Sequence, residues 1–312
     1  MREILCSGQA RSLEFPYPGG MAALCWSPAG ERGELTVSLH YDGAYGMGEK
    51  YNAVNQKGHT AVNEVEEKFC FQGEKTYCPA PFFWTNTGFG LYAATDERTS
   101  FRFGEKAVCA ELPVDCRVVL FSGMPGEIIR DYMDLFGPAK LPPKWAVGPW
   151  ISANHWDSQE KVERAVAQAE EHGFPVCALV AEAWSDEATF YVFRGARYVP
   201  KPNGGAFRLE DFDFSDSPWP DPAGMVQRLH EKGIRFLLWQ IPVYKKQGPD
   251  EPLNAQNELD QADAVARGLC VHNADGSPYT IPEGYWFAGS MIPDFTNPAA
   301  EETWFSKRNY LT

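Results

Sequence analysis

The sequence lacks the features of a membrane, secreted or nucleic-acid-binding protein. No apolar run reaches the roughly 20 residues that a membrane span needs. The first residues contain neither the apolar core of a signal peptide nor a convincing cleavage site, so a cytoplasmic protein is expected. With 28 Lys and Arg against 42 Asp and Glu, the net charge of −14 disfavours nucleic acid and anionic membranes as partners.

Metal-binding and nucleotide-binding motifs are missing as well. The eight cysteines form no CxxC pair, and no His lies at zinc-ligand spacing from them. Several lie inside apolar, strand-like runs such as AVCAEL and PVCALV, where a free thiol behaves as a small core residue. No strand-like run is followed by GxGxxG or a P-loop. The sequence therefore predicts reduced structural thiols, no metal and no cofactor.

The first part of the chain has the pattern of β structure. Over residues 1–140, short alternating or β-branched runs such as ELTVSLHY and CRVVLFSG are separated at short intervals by Gly, Pro, Asn and Asp. This spacing is typical of a β-sandwich. One helix is expected at 124–135, where Pro125 precedes EIIRDYMDLF and Gly137 ends the segment.

The pattern changes after LPPKW at 141–145. Three apolar runs then predict buried strands, at 145–152, 176–184 and 234–242. A polar cap, or a cap followed by proline, predicts the start of three helices, after Asp157 or Ser158, at Asp221-Pro222 and at Asn297-Pro298. Strands that alternate with helices in this way indicate a parallel sheet.

A (β/α)₈ TIM barrel is the first interpretation of this sheet and a doubly wound sheet the second. The predicted fold class is therefore an N-terminal β-sandwich followed by the first part of a TIM barrel, with domains at 1–140 and 141–312. A barrel closes only with eight strands, and three are predicted here. We therefore expect that the chain stops before the fourth strand of a longer protein, or that another chain completes the sheet.

The residues that follow the predicted strands are the functional candidates, because active sites of α/β barrels lie at the carboxyl ends of the strands. They combine aromatic rings with carboxylates and amides. Rings stack on the C–H face of a sugar, while carboxylates and amides bind its hydroxyls. The candidate substrate-binding residues are His155 and Trp156 after the first strand, Glu182, Trp184 and Asp186 after the second, and Trp239 after the third.

Each candidate has a second interpretation. Every Trp can be a core or rim residue, and Glu182 can be a salt-bridged or solvent-facing carboxylate, although a buried carboxylate needs partners. Glu182 and Asp186 can also form an acid/base pair, and His155 can act as a base. Asp294, which precedes the Asn297 cap, can serve either the helix or the site.

Five segments, in this order along the chain, resemble glycoside hydrolase family 31. They are YGMGEKYNAVNQKG (45–58), GEKTYCPAPFFWTNTGFGLYA (73–93), LPPKWAVGPWIS (141–152), FLLWQIP (236–242) and IPDFTNPAAEETWFSKRNYL (292–311). The first two resemble the family's N-terminal sandwich, and the third resembles the entry to its barrel. The last two resemble its third strand and the helix that leads into the fourth.

The resemblance implies a galactose-mutarotase-like sandwich over 1–140. Over 141–312 it implies strands 1–3 and helices 1–3 of a barrel that cleaves terminal α-linked sugars with retention. The family's nucleophile is an Asp at the end of the fourth strand, and its acid/base Asp follows later. No residue of this chain is therefore assigned a catalytic role.

By this resemblance, the positions that match the family's substrate-pocket strands are Glu182 and Trp184 on the second strand, Trp239 on the third and His155 or Trp156 on the first. A loop of the sandwich reaches that pocket in the family, which adds Glu74 and Lys75 to the substrate-binding candidates. The expected partner is an oligosaccharide or another α-glycoside. The sugar (glucose, xylose, galactose or N-acetylgalactosamine) and the oligomeric state stay open.

Two hypotheses from other classes stand beside this one. The first is a non-catalytic carbohydrate-binding or remnant protein that ends at Thr312. The second is a sandwich joined to a Rossmann-like domain of unrelated function. The missing GxGxxG and P-loop motifs argue against the second.

Overall fold

The computed structural model describes residues 1–65, 73, 76–202 and 204–312. The chain divides into two compact units, Met1–Lys140 and Leu141–Thr312. Paired strands are antiparallel in the first unit and parallel in the second. Among the described residues, no helix is long and apolar enough to cross a membrane.

The first unit consists of two antiparallel sheets. The strands found in its described part are β1 Arg2–Cys6, β2 Arg11–Tyr17, β3 Gly20–Ala29, β4 Arg32–Ser38, β5 Ala44–Gly48, β6 Thr60–Asn63, β7 Pro79–Thr85, β8 Phe89–Ala94, β9 Thr99–Phe103, β10 Ala107–Pro113 and β11 Cys116–Ser122. Five strands pair in the order β1-β11-β8-β7-β5, and six in the order β2-β3-β4-β10-β9-β6. The β structure predicted for this part of the chain is confirmed.

A single hydrophobic core lies between the two sheets. Side chains alternate along each strand, so that in β3 the buried Ala22, Leu24 and Trp26 are separated by exposed residues. Phe83 and Leu91 of the five-stranded sheet have no exposed surface and belong to the same cluster. Burial of this shared cluster is the main favourable contribution to the stability of the unit.

Helix α1 (Pro125–Asp134) covers the other face of the five-stranded sheet, and the helix predicted there is confirmed. Ile128 is fully buried against Gly90, where an added Cβ would lie 2.7 Å from Ile128 Cγ2. Tyr132 stacks on Phe82, with ring centroids 3.7 Å apart. The helix therefore requires a residue without a side chain at position 90.

The second unit is built on a parallel sheet of β12 (Trp150–Ala153), β13 (Ala178–Ala181) and β14 (Arg235–Leu238), paired in that order. Its helices in the described residues are α2 Gln159–Glu171, α3 Pro222–Glu231, α4 Ala255–Arg267 and α5 Pro298–Ser306. The predicted alternation of strand and helix is confirmed. Each strand is four residues long and shorter than predicted. The start of the strand predicted at 145–152 is wrong, because Lys144–Val147 forms a 3₁₀ helix, and after β13 and β14 the apolar run continues beyond the end of the strand.

The three predicted helices are present, and the described residues contain one further helix, α4, that the sequence analysis did not predict. Its buried side chains are mostly polar and include Gln256, Asn257 and Asp260, so the sequence shows no apolar stripe. Its ends do carry signals. The Asn254 side chain accepts a hydrogen bond at the start, and Gly268 adopts φ 63° at the end.

The predicted helix caps are confirmed. The side chains of Ser158, Asp221 and Asn297 accept hydrogen bonds from backbone N–H groups of the following turn at 3.4, 3.0 and 3.0 Å. Of the two cap candidates for α2, Asp157 instead accepts from Lys161 Nζ at 2.6 Å. Each cap stabilises its helix by about 1 kcal/mol.

Two tryptophans without exposed surface, Trp184 and Trp219, lie in the core of the second unit. The Phe193 ring centroid is 4.9 Å from that of Trp184 and 5.6 Å from that of Trp219. Trp184 Nε1 donates a hydrogen bond to the carbonyl oxygen of Trp239 at 2.8 Å. Trp219 Nε1 has no acceptor among the described residues. The two side chains are thus matched in burial and differ by one hydrogen bond.

We therefore expect Trp184→Phe to destabilise the protein more than Trp219→Phe. Both changes remove similar buried area, but only Trp184→Phe leaves the Trp239 carbonyl without its donor, which costs about 1–3 kcal/mol. The difference between the two free energies of unfolding, measured by urea denaturation, checks this. An equal loss of stability in both variants would contradict the assigned hydrogen bond.

Four described cysteines of the first unit form two groups, one buried and one exposed. Cys6 and Cys116 face each other across β1 and β11 and are buried, whereas Cys25 and Cys78 are exposed. Burial is the main cause that raises the pKa of Cys6 to about 12 and that of Cys116 to about 11. Because the thiolate is the reactive form, the buried pair is protected by both its pKa and its inaccessibility.

Alkylation of the native protein near pH 8, close to the ordinary thiol pKa of about 8.5, should modify Cys25 and Cys78 first. Peptide mapping by mass spectrometry should detect Cys6 and Cys116 as modified only after denaturation. Modification of Cys6 in the native protein as fast as that of Cys25 would show that β1 is not paired as described.

Candidate functional site

Three polar or aromatic residues lie side by side at the carboxyl ends of the parallel strands. Pairing aligns Ala153 with Ala181 and Ala181 with Leu238, the last residues of β12, β13 and β14. The next residues are Asn154, Glu182 and Trp239, and all three line one cavity of about 420 Å³. Register alone therefore places them at the same level of the sheet.

Glu182 is the carboxylate at the centre of this row. Its side chain is half-buried, and its Oε1 accepts a hydrogen bond from Ser152 Oγ on the neighbouring strand β12. The bond fixes the carboxylate against the sheet and leaves lone pairs on its oxygens for a further donor. Of the predicted carboxylates that the structure describes, Glu182 is the one that lines the cavity.

Aromatic rings form one wall of the cavity. The Trp239 ring centroid lies 5.7 Å from that of the buried Phe190, which lies 5.5 Å from that of Phe287. Trp286, about half exposed, follows at 6.3 Å from Phe287. Phe190 and Phe287 have φ values of 58° and 59°, a conformation that bulky residues rarely adopt. The surrounding contacts hold these two rings in place against the backbone strain.

Trp184 is a core residue in this structure. It has no exposed surface, and its indole N–H bonds the carbonyl of Trp239. Trp239 N donates in turn to the Ala181 carbonyl at 3.0 Å, which extends the pairing one residue beyond β14. Trp184 therefore supports the position of Trp239 and does not line the cavity itself.

Asp186 holds the loop after β13 together. Its carboxylate accepts hydrogen bonds from Ala188 N at 2.8 Å, Thr189 N at 2.6 Å and Thr189 Oγ1 at 2.7 Å. Burial raises the pKa of this carboxyl above its ordinary value, although these hydrogen bonds oppose the shift. Asp186 faces a neighbouring cavity of about 400 Å³, which shares Glu187 with the first. Asp186 and Glu182 therefore line different cavities, and the structure does not place them together as an acid/base pair.

Lys245 joins the loops that follow β13 and β14. Its Nζ donates to the Glu187 carbonyl at 2.7 Å and pairs with Glu251 at 2.9 Å, and its side chain is only 13% exposed. The same ammonium lies 6.0 Å from the centroid of the Phe190 ring. The cation therefore fixes Glu187 beside the aromatic wall.

Helix α5 is tied to the end of β14 by Arg308. The buried guanidinium donates to Gln240 Oε1 at 2.8 Å, directly after Trp239, and lies 3.4 Å from the ring centroid of Trp304. Burial lowers the pKa of Arg308 to about 10. The arginine thus links a helix far along the chain to the residue that follows the aromatic wall.

His155 and Trp156, two further predicted residues, are not part of the cavity lining. His155 is exposed, and Trp156 is half-buried and packs against the core of the unit. Neither lines the cavity, although Asn154 immediately before them does. Glu74 and Lys75 lie outside the described residues.

Five residues that line the cavity were not among the predicted site residues, namely Asn154, Ala183, Glu187, Trp286 and Phe287. Two of them carry a signal that could have been used. Trp286 and Phe287 belong to the segment GYWFAG, in which three consecutive aromatic residues lie in a loop between glycines. Three adjacent aromatic residues outside any strand or helix are unusual unless their rings form part of a binding surface.

Comparison with known proteins gives consistent matches. A model of the glycosyl hydrolases family 31 TIM-barrel domain matches residues 139–312. The isomaltosyltransferase of Sporosarcina globispora is 34% identical over 278 residues, 86% of this chain and 25% of that protein. The 1,3-alpha-isomaltosidase of Kribbella flavida is 33% identical over 304 residues, 94% of this chain and 41% of that protein.

A solved structure is similar over the same extent. The cycloalternan-forming enzyme of Listeria monocytogenes, in complex with a pentasaccharide substrate, superposes with a TM-score of 0.87 and 32% identity over 94% of this chain and 30% of that one. This chain thus spans between a quarter and two fifths of the length of these relatives. The resemblance found in the sequence is confirmed, and this chain belongs to glycoside hydrolase family 31.

Proposed function

We propose that this chain supplies the N-terminal sandwich and the first three barrel strands of a retaining enzyme that acts on α-linked gluco-oligosaccharides. The observation that carries the proposal is the row of Asn154, Glu182 and Trp239, level with one another at the carboxyl ends of three paired parallel strands. In a (β/α)₈ enzyme the substrate lies at this end of the sheet.

The lining of the cavity suits a neutral sugar. Trp239, Trp286 and Phe287 offer apolar ring faces for the C–H face of a pyranose. Glu182 and Glu187 accept hydrogen bonds from hydroxyls, and the Asn154 amide both donates and accepts. Two carboxylates and no cation among the lining residues that the structure describes also disfavour a phosphorylated ligand.

The relatives support an isomaltosyl unit as the sugar that is recognised. An isomaltosyltransferase and a 1,3-alpha-isomaltosidase, each about one third identical to this chain, are named for that unit. We therefore propose hydrolysis or transfer of an isomaltosyl group, with substrate bound by the residues described above. The two catalytic carboxyl groups of a retaining mechanism, a nucleophile and an acid/base, would come from later strands of the complete protein.

The complete protein should release sugar from isomaltosyl oligosaccharides with retention. Proton NMR during the reaction should detect the α anomer of the product first and its mutarotation to the β anomer later, because two displacements restore the starting configuration. First release of the β anomer would contradict retention. Binding of the oligosaccharide without any release would favour the non-catalytic alternative.

Trp239→Ala should weaken the enzyme strongly. Removal of a central aromatic anchor typically costs about 2 kcal/mol or more, equivalent to roughly a 30-fold loss in kcat/KM. Trp150→Ala is the matched control, because Trp150 is a partly exposed tryptophan of the same unit that does not line the cavity. Steady-state kinetics with an isomaltosyl substrate should separate the two variants. Similar losses in both would contradict the role of Trp239.

A further inference from the structure

A second cavity with the chemistry of a sugar site lies in the first unit, which the proposed function leaves unused. It has a volume of about 700 Å³, within the range of small-molecule sites. We call it the β-domain cleft and define it by Asn63, Tyr77, Tyr92, Asp96 and Phe136, which line it together with their neighbours. Its aromatic, amide and carboxylate groups each provide a separate argument.

Aromatic rings form one side of the β-domain cleft. The Phe136 ring centroid lies 5.5 Å from that of Tyr92 and 5.1 Å from that of Tyr132, both in edge-on contact. Phe136 is nevertheless 62% exposed, and Tyr77, which also lines the cleft, is 43% exposed. Rings held by neighbours on one edge and open to solvent elsewhere are suited to stacking against a ligand.

A buried amide of the cleft lacks a partner. Asn63 is 5% exposed, and its Nδ2 donates to Thr99 Oγ1 at 3.2 Å. Its Oδ1 accepts no hydrogen bond from any described residue. A buried acceptor without a donor is costly, and in native proteins it usually has a protein, water or ligand partner. A ligand hydroxyl would supply the missing donor.

The charges of the cleft select against anions. Among the residues that the structure describes, the lining includes the carboxylates Glu64, Asp96 and Glu97 and one cation, Arg98. That cation is already paired with Glu64 at 3.1 Å. The excess negative charge repels phosphate and nucleic acid, while carboxylate oxygens accept hydrogen bonds from neutral hydroxyls.

We propose that the β-domain cleft, whose lining residues all belong to the first unit, binds a neutral α-glucan segment. Phe136 and Tyr77 stack on the pyranose rings, Asn63 Oδ1 accepts from one hydroxyl, and Asp96 accepts from another. In this proposal the cleft binds the polymer, and its residues take no part in the reaction. The two sites are therefore expected to respond to different substitutions.

The test is affinity electrophoresis of the complete protein through gels that contain a soluble α-glucan. Phe136→Ala and Tyr77→Ala should each raise the dissociation constant for the glucan about tenfold, the equivalent of one lost aromatic contact of about 1.4 kcal/mol. Their kcat/KM on a small isomaltosyl substrate should remain that of the wild type. Leu5→Ala is the control, since Leu5 is a half-exposed apolar residue of β1 outside the cleft.

Trp239→Ala separates this site from the proposed function. The variant should still be retarded by glucan, and this result does not depend on whether the wild type hydrolyses the substrate. The proposal is overturned if glucan does not retard the wild type, or if Trp239→Ala abolishes retardation while Phe136→Ala preserves it. The proposal is also overturned if a polycation in the gel retards the protein, glucan does not, and high salt abolishes the retardation. The rings and carboxylates would then bind a cationic ligand.

Discussion

The feature on which the second unit depends is the in-register pairing of three short parallel strands. Since Ala153, Ala181 and Leu238 occupy one level of the sheet, the chain emerges from all three strands at the same height. Asn154 and Glu182, which are 28 residues apart along the chain, thereby become neighbours. The same holds for Glu182 and Trp239, which are 57 residues apart. A one-residue shift of any strand would reverse which side chains point into the core, so the register is strongly specified by burial.

The support beneath these side chains is itself buried and hydrogen-bonded. Trp184 donates a hydrogen bond to the carbonyl of Trp239, and Arg308 donates one to the side-chain amide of Gln240. Lys245 donates a third to the backbone carbonyl of Glu187. Each of these groups is costly to bury alone and is paired here with a group next to the cavity. The positions of the ligand-facing residues are therefore linked to the stability of the unit, as pre-organised binding requires.

The sequence predicts the strand order, the caps and two of the cavity residues, because these follow from local rules. Glu182 and Trp239 are the first residues after apolar runs, so the strand ends identify them. Trp184 lies two residues further on, where the chain has left the strand and alternation no longer determines which side chain faces inward. Helix α4 and the Trp286–Phe287 pair depend on tertiary contacts, which local periodicity does not contain.

A crystal structure of the complete protein with isomaltose tests the central claim most directly, namely that the aligned ends of the three strands bind the sugar. The account predicts a glucosyl ring stacked on Trp239, with a hydroxyl within hydrogen-bond distance, about 3 Å, of the Glu182 carboxylate. A sugar bound elsewhere, with the Trp239 face covered by protein, would contradict it.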